Sequence, residues 1–255
     1  MYYGTRAVVV KSTDYRDADK LVTLFSEKEG KVKAIAKGVK KPGSSLRICV
    51  QPFAHSFLYL SRGGELDLIT QGRIMDFYAD IRENLGKTLY IAYVMELLDK
   101  SLLERVPMPF LYKDVLEVLE YIETRGLNFI VIRYFEMRLL IELGYKPELD
   151  VCVNCGQKFP VMNMFSLSGG GVLCEKCSEI IKPDFVLSGE ALSLLKFLAK
   201  SNIRTLERLK ASEGALNKIE RILEKYLEYY IERKFNTKYI ISDLKKSLPL
   251  TFDKG

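Results

Sequence analysis

The chain has 255 residues, 48% of them hydrophobic and 28% charged. That balance excludes extended disorder and suits one large domain or two to three small ones. Its apolar runs are far shorter than the roughly 20 residues of a membrane span. The N-terminus leads into strand-like sequence with no signal-peptide pattern, so a cytoplasmic protein that does not enter membranes is expected. Five cysteines, four of them in two C-x-x-C pairs, do not suit a secreted disulfide framework.

The net charge of +6 is unevenly placed. Residues 1–80 hold 13 Lys/Arg against 9 Asp/Glu, and residues 81–255 hold 26 against 24. From Gly30 to Gly64 there is no acidic residue, but there are seven basic ones: Lys31, Lys33, Lys37, Lys40, Lys41, Arg47 and Arg62. A one-sign stretch of this length attracts polyanions.

In chain order, residues 5–80 read as β. Thr5–Lys11 and Leu21–Phe25 are β-branched or apolar runs, and Lys31–Lys37 alternates charged and apolar residues with period two. Phe53–Leu60, the Arg62-Gly63-Gly64 turn and Glu65–Thr70 read as a hairpin. Short strands joined by glycine-containing turns predict a small barrel, with an OB-fold as the natural candidate. By parity Lys31, Lys33 and Lys37 share one strand face, followed by the basic loop Lys40-Lys41-Pro42-Gly43-Ser44-Ser45 and Arg47. Tyr15, Phe53, Phe57 and Tyr59 are candidate stacking platforms for bases. The alternative is an ordinary solvated strand face. Cations on this face would grip phosphates and carry little sequence information.

After residue 81 the period becomes helical. Leu85 to Leu103, Leu111 to Ile122 and Phe129 to Leu143 mark three helices, punctuated by Pro107, Pro109, Gly126 and Gly144. Residues 145–184 read as glycine-rich loop, followed by helices over 188–201 and about 213–235. The expected architecture is α+β: a β-barrel domain (1–80), then a helical domain (81–255) with a metal knuckle inserted at about 150–180.

The knuckle is Cys152-Val-Asn-Cys155, eighteen residues, then Cys174-Glu-Lys-Cys177. An x₂ spacing lets two thiolates from one tight turn reach one ion, and two such turns supply a tetrahedral S₄ set. One structural zinc per chain is expected, because four cysteines leave no open position for catalysis. Redox chemistry, an iron–sulfur cluster and a site that has lost its metal remain the alternatives. No convincing active site is visible. His55 is the sole histidine, and Gly86-Lys87-Thr88 lacks the leading glycine of a P-loop because position 81 is Ile. Asp14, Asp17 and Asp19 read as a solvated turn, with a carboxylate metal cluster as the alternative.

The segments Ala36-Lys-Gly-Val-Lys-Lys41, Arg47 and Gln51-Pro-Phe53 resemble the N-terminal OB-fold of the RecO family of bacterial recombination mediators. Phe135-Glu136, Leu139-Leu140 and Leu143-Gly144-Tyr145 resemble its central helices, which lead into Cys152-Val-Asn-Cys155-Gly156, Phe165-Ser166, Gly170-Gly171 and Leu173-Cys174-Glu-Lys-Cys177. The resemblance implies a nucleoid-associated DNA repair and recombination protein, not an enzyme. It implies binding to single- and double-stranded DNA, strand annealing, and contact with the acidic C-terminal tail of single-strand-binding protein. It also implies pairing with RecR to help load RecA. It places first DNA contacts at Lys37, Lys40, Lys41 and Arg47, and makes Arg133 and Arg138 candidate carboxylate partners for the tail. Pro42-Gly43 in the basic loop departs from the family pattern. The competing functions are a scaffold that never touches nucleic acid, and a metal-dependent nucleic-acid enzyme using Asp14, Asp17 and Asp19.

Overall fold

The computed structural model describes residues 1–158 and 163–247. Residue contacts gather these into two units, Met1–Leu127 together with the chain from Phe235, and Asn128–Lys234. In the first unit, strands β1 (Tyr2–Asp14), β2 (Lys20–Ser26) and β3 (Gly30–Ala36), a one-turn helix α1 (Leu46–Cys49), then β4 (His55–Ser61) and β5 (Asp67–Asp76) form a closed barrel. The strand order is β1-β2-β3-β5-β4, with β3 and β5 parallel and all other neighbours antiparallel. This is the five-stranded OB arrangement that the sequence predicts.

β1 closes the barrel by serving two partners. Residues Tyr2 to Val8 pair with β4 and Ala7 to Asp14 with β2, and the register shifts between Val9 and Lys11. A bulge of this kind bends a strand, so that one chain segment can turn the corner between two neighbours. Inside, Ala7, Val9, Val22, Leu24, Ala34, Ala36, Leu58, Leu60 and Ile69 form a continuous core, with Cys49 and Val50 of the α1 region packed beneath. The alternation of small and large residues fills the narrow interior.

Helices α2 (Ala79–Glu83), α3 (Leu85–Ser101) and α4 (Pro109–Arg125) follow in the same unit. Asn84 caps α3 by accepting from the Lys87 amide at 3.0 Å, and Pro109 starts α4 where its missing N–H costs nothing. The second unit begins with α5 (Phe129–Glu142), capped by Asn128. The segment read from sequence as loop contains a small sheet, β6 (Met164–Ser166), β7 (Gly171–Leu173) and β8 (Phe185–Val186) in the order β7-β6-β8, and a helical turn α6 (Glu175–Ser178). Its strands are two or three residues long, too short to show a period. Then come α7 (Gly189–Lys200), a 3₁₀ turn (Ile203–Arg208) and α8 (Glu213–Ile231), with α5, α7 and α8 packed together.

The last helix of the sequence reading ran to Phe235. Instead α8 ends at Ile231, because Glu232 adopts a left-handed conformation (φ 55°), and α9 (Asn236–Ser247) returns to the first unit against α3. The Glu96 carboxylate of α3 accepts from the Asn236 and Thr237 amides at 2.9 and 2.8 Å and so caps α9. No helix among the described residues is long and apolar enough to cross a membrane.

Candidate nucleic-acid interface and metal centre

Two separate tight turns deliver the cysteine sulfurs to one point. In the first, Cys152 accepts at its carbonyl from the Gly156 amide at 2.8 Å, and Gly156 takes φ +71°, which allows the chain to fold back after Cys155. In the second, the β6–β7 hairpin carries Leu173 and Cys174 to the start of α6, where Cys174 occupies the N-cap position and Cys177 lies within the turn. Gly171 fixes the approach of this hairpin, since a Cβ there would stand 2.1 Å from the Glu148 carbonyl oxygen. The four ligand sulfurs lie within 4.8 Å of one another, and Cys155 and Cys174 are 4.0 Å apart. A tetrahedral zinc with Zn–S near 2.3 Å places its sulfurs about 3.8 Å apart, so the donor set and spacing fit such an ion.

The electrostatics also fit. Burial pushes the Cys152 thiol up, but amides of Cys155, Cys174 and Asn154 directed at its sulfur prevail and bring it down to about 6. The Cys174 amide lies 3.4 Å from this sulfur. Cys177 is pushed up to about 12: the Asn154 amide, 3.3 Å away, favours its thiolate, but the neighbouring thiols and burial outweigh that contact. Four thiols this close cannot all ionise unless a cation lies among them, and a divalent ion would supply that charge. Leu173, Val153, Met164 and Ile181 complete the small cluster around them. Asn154 was not singled out from sequence; the residue between paired cysteines has no signature of its own.

The seven cations of the acid-free stretch do not form one face. Lys31 is buried, with its ammonium donating to the Asp99 carbonyl at 2.7 Å; burial lowers its pKa. Lys33 is held by Glu104 at 2.5 Å, and Arg62 by Glu29 and over the Tyr3 ring. Lys37 falls beyond the end of β3, so the expected shared strand face of Lys31, Lys33 and Lys37 is not present. The partners of Lys31 and Lys33, the Asp99 carbonyl and the Glu104 carboxylate, come from the α3–α4 region, about 70 residues away in sequence. Lys37, Lys40 and Lys41 lie on the β3–α1 connection, with Arg47 in the first turn of α1, and all four are exposed. Arg47 donates to the carbonyls of Lys40 and Lys41, both at 2.8 Å, which shapes the loop; Lys40 pairs with Asp14 at 3.0 Å. Lys37 and Lys41 make no ion pair among the described residues.

Phe53 is buried beside Arg82, and is not an exposed platform; Phe57 and Tyr59 share the outer face of β4. Arg133 and Arg138 are the candidate carboxylate partners for the tail of single-strand-binding protein. Arg133 is buried on α5 between Glu136 (3.2 Å) and Glu220 (3.7 Å), so its guanidinium already braces the helical unit, while Arg138 pairs with Glu142 at 3.2 Å. The carboxylate cluster does not assemble: Asp14 is engaged by Lys20 and Lys40, and Asp19 accepts from the Gly38 amide at 2.8 Å. Among the described residues the four cysteines are the one group of three or more His, Cys, Asp or Glu side chains close enough together to hold a metal ion. His55 is buried, 3.0 Å from the Tyr112 hydroxyl, and burial lowers its pKa. Lys87 pairs with Asp80 and Thr88 donates to the Ile81 carbonyl, so the P-loop-like tripeptide opens α3.

Known protein families divide the chain between residues 78 and 82, after the barrel strands, and not between Leu127 and Asn128 where the two compact units divide. A family model described as Recombination protein O N terminal matches residues 1–78, and one described as Recombination protein O C terminal matches residues 82–238. A protein named DNA repair protein RecO from Syntrophomonas wolfei is 53% identical over 249 residues, covering 98% of this chain and 99% of the relative. Proteins of the same name from Desulforamulus reducens and Oceanobacillus iheyensis are 35% and 33% identical, over 96% and 88% of this chain and 96% and 86% of theirs. With both halves matched in order and relatives aligned along nearly their full lengths, the chain belongs to the Recombination protein O (RecO) family.

Proposed function

We propose that this chain is a cytoplasmic DNA repair protein that acts as a recombination mediator and not as an enzyme. It captures single- and double-stranded DNA on the barrel, anneals complementary strands, and works with RecR to help load RecA onto DNA covered by single-strand-binding protein. The observation that carries the reading is the cluster Lys37, Lys40, Lys41 and Arg47 on one barrel connection of a RecO-family chain. Cations on a loop of small residues suit phosphate contact, which positions a strand without reading its sequence.

In this reading residues 1–80 form the nucleic-acid-binding domain and the helical remainder recruits proteins. One zinc ion on Cys152, Cys155, Cys174 and Cys177 braces the knuckle, where little apolar sequence is available for a core. With four sulfur ligands it stabilises the fold and performs no chemistry. Arg138 remains the accessible member of the two arginines considered for the tail of single-strand-binding protein.

The test is a titration against single-stranded DNA at several salt concentrations, with and without single-strand-binding protein. Affinity should fall steeply as salt rises. Negligible affinity at low salt would instead favour a scaffold without nucleic-acid contact. Cleavage of labelled DNA with Mg²⁺ or Mn²⁺, abolished by Asp17→Asn, would favour an enzyme.

A further inference from the structure

The outer face formed by β1, β4 and β5 carries a second set of residues that the β3–α1 connection does not include. In the strand register Arg6 lies opposite Phe57, and Phe57 opposite Arg73; Gly4 lies opposite Tyr59, and Tyr59 opposite Gln71. Tyr2, opposite Ser61, continues the same face. The inward neighbours Thr5, Ala7, Leu58 and Leu60 are buried, whereas Tyr59 is 50% and Tyr2 74% exposed.

The Phe57 and Tyr59 rings meet edge to face, with centroids 5.2 Å apart at 74°. Both lie across Gly4, where a Cβ would stand 3.0 Å from Phe57 Cζ and 3.3 Å from Tyr59 Cε1. Glycine thus lets the rings settle against the sheet. Beside Phe57 a cavity of about 270 Å³ is lined by Gly4, Thr5, Arg6, Glu27, Lys28 and Phe57. Arg6 reaches Glu27 only at 3.8 Å, and Arg73 makes no ion pair among the described residues.

We infer that this face takes the unstacked bases of single-stranded nucleic acid, with Tyr59 and Phe57 stacking on bases and Arg6 and Arg73 holding the flanking phosphates. Every base offers a π-face to an aromatic ring, and guanidinium groups add phosphate contact and cation–π attraction. Arg6 and Lys28 beside the cavity, with Arg73 across from Phe57, outnumber Glu27, a balance that suits a polyanion. A duplex hides its base faces, so the rings have nothing to stack on there. The inference rests on the nucleic-acid reading above, but names a different surface and a particular form of the ligand.

The chain contains no tryptophan, so Tyr59→Trp introduces the only indole. The full-length variant is titrated with fluorescein-labelled oligo(dT), oligo(rU), an abasic phosphodiester of equal length and a blunt duplex, reading indole emission and label anisotropy together. Quenching by oligo(dT) or oligo(rU), and none by the abasic strand or duplex, is expected. Tyr59→Ala and Arg73→Gln, both outward-facing and expected to keep the melting temperature, should each weaken oligo(dT) binding on the order of tenfold. Tyr59→Ala should leave affinity for the abasic strand unchanged. Constant indole emission at full anisotropy change, with unaltered affinity in both other variants, overturns this face and leaves the β3–α1 loop standing. Absence of any binding overturns both.

Discussion

Arg105, on the connection between α3 and α4, donates at 2.7 Å to Asp67, the first residue of β5. Asp67 is buried and also accepts from the Tyr3 hydroxyl at 2.5 Å and the Gly63 amide at 2.9 Å. One carboxylate therefore ties together the start of β1, the β4–β5 turn and the segment after α3. Burial alone would raise its pKa, but Arg105, Tyr3 and the Gly63 amide prevail and lower it. Tyr3 is shifted the opposite way, up from its ordinary value, by burial and by Asp67.

The pH dependence of stability follows from these directions. A depressed carboxylate contributes stability above its unfolded pKa of about 4, and loses it as pH falls toward the folded value. A raised tyrosine contributes below its unfolded pKa of about 10 and loses it as pH rises beyond. Burial also lowers the His55 value, so stability falls as pH drops below its unfolded pKa of about 6.5, and chemical denaturation at fixed pH should show a plateau only from there to the tyrosine limit. Arg105→Gln should cost about 2 kcal/mol on the plateau and shallow the acid limb; an unchanged acid limb would remove Asp67 as its source.

Metal analysis of the purified chain should give one zinc per molecule. Cys155→Ser, or chelation, should lower stability by about 3 kcal/mol, roughly 6–12 °C in Tm, while affinity for DNA changes little. An unchanged Tm with lost DNA affinity would make the knuckle a contact surface.

Within the acid-free stretch, position separates the cations: Lys37, Lys40, Lys41 and Arg47 follow one another after β3, whereas Lys33, also exposed, lies within β3. Lys40→Glu with Lys41→Glu should weaken DNA binding on any sequence and reduce the dependence of log affinity on log salt by about 1.4 for single strands. Lys33→Gln should have little effect, because Glu104 already holds Lys33. A larger loss from Lys33→Gln than from the loop pair would relocate the interface.

Arg133→Gln leaves Glu136 and Glu220 without their shared cation, and Glu136 is fully buried. Destabilisation of about 3–5 kcal/mol is expected by urea denaturation, whereas Arg138→Gln, partly exposed, should cost under about 1 kcal/mol. If Arg133→Gln keeps its midpoint, the buried charges are not a brace.

Local chemistry was readable in advance wherever spacing alone carries it. Cys152, Cys155, Cys174 and Cys177 were legible because two x₂ turns can present four sulfurs to one ion whatever surrounds them. The five barrel strands and most helices were legible because burying one face imposes a period of two or 3.6. The strands β6 to β8 carry too few residues to impose any period.

Partnership across the chain was not readable. Lys31, Lys33 and Arg62 looked like free cations because their partners, the Asp99 carbonyl and the Glu104 and Glu29 carboxylates, are separated from them by 68, 71 and 33 positions. Arg133 read as a carboxylate partner for another protein, but the carboxylate beside it is Glu220 on α8, and α9 went unseen because its cap is Glu96, some 140 residues earlier. Charge and period are properties of a segment, so the sequence could supply the barrel, the helices and the thiol set. Whether a charge faces solvent or is already neutralised depends on which distant segment packs against it, and only the folded chain decides that.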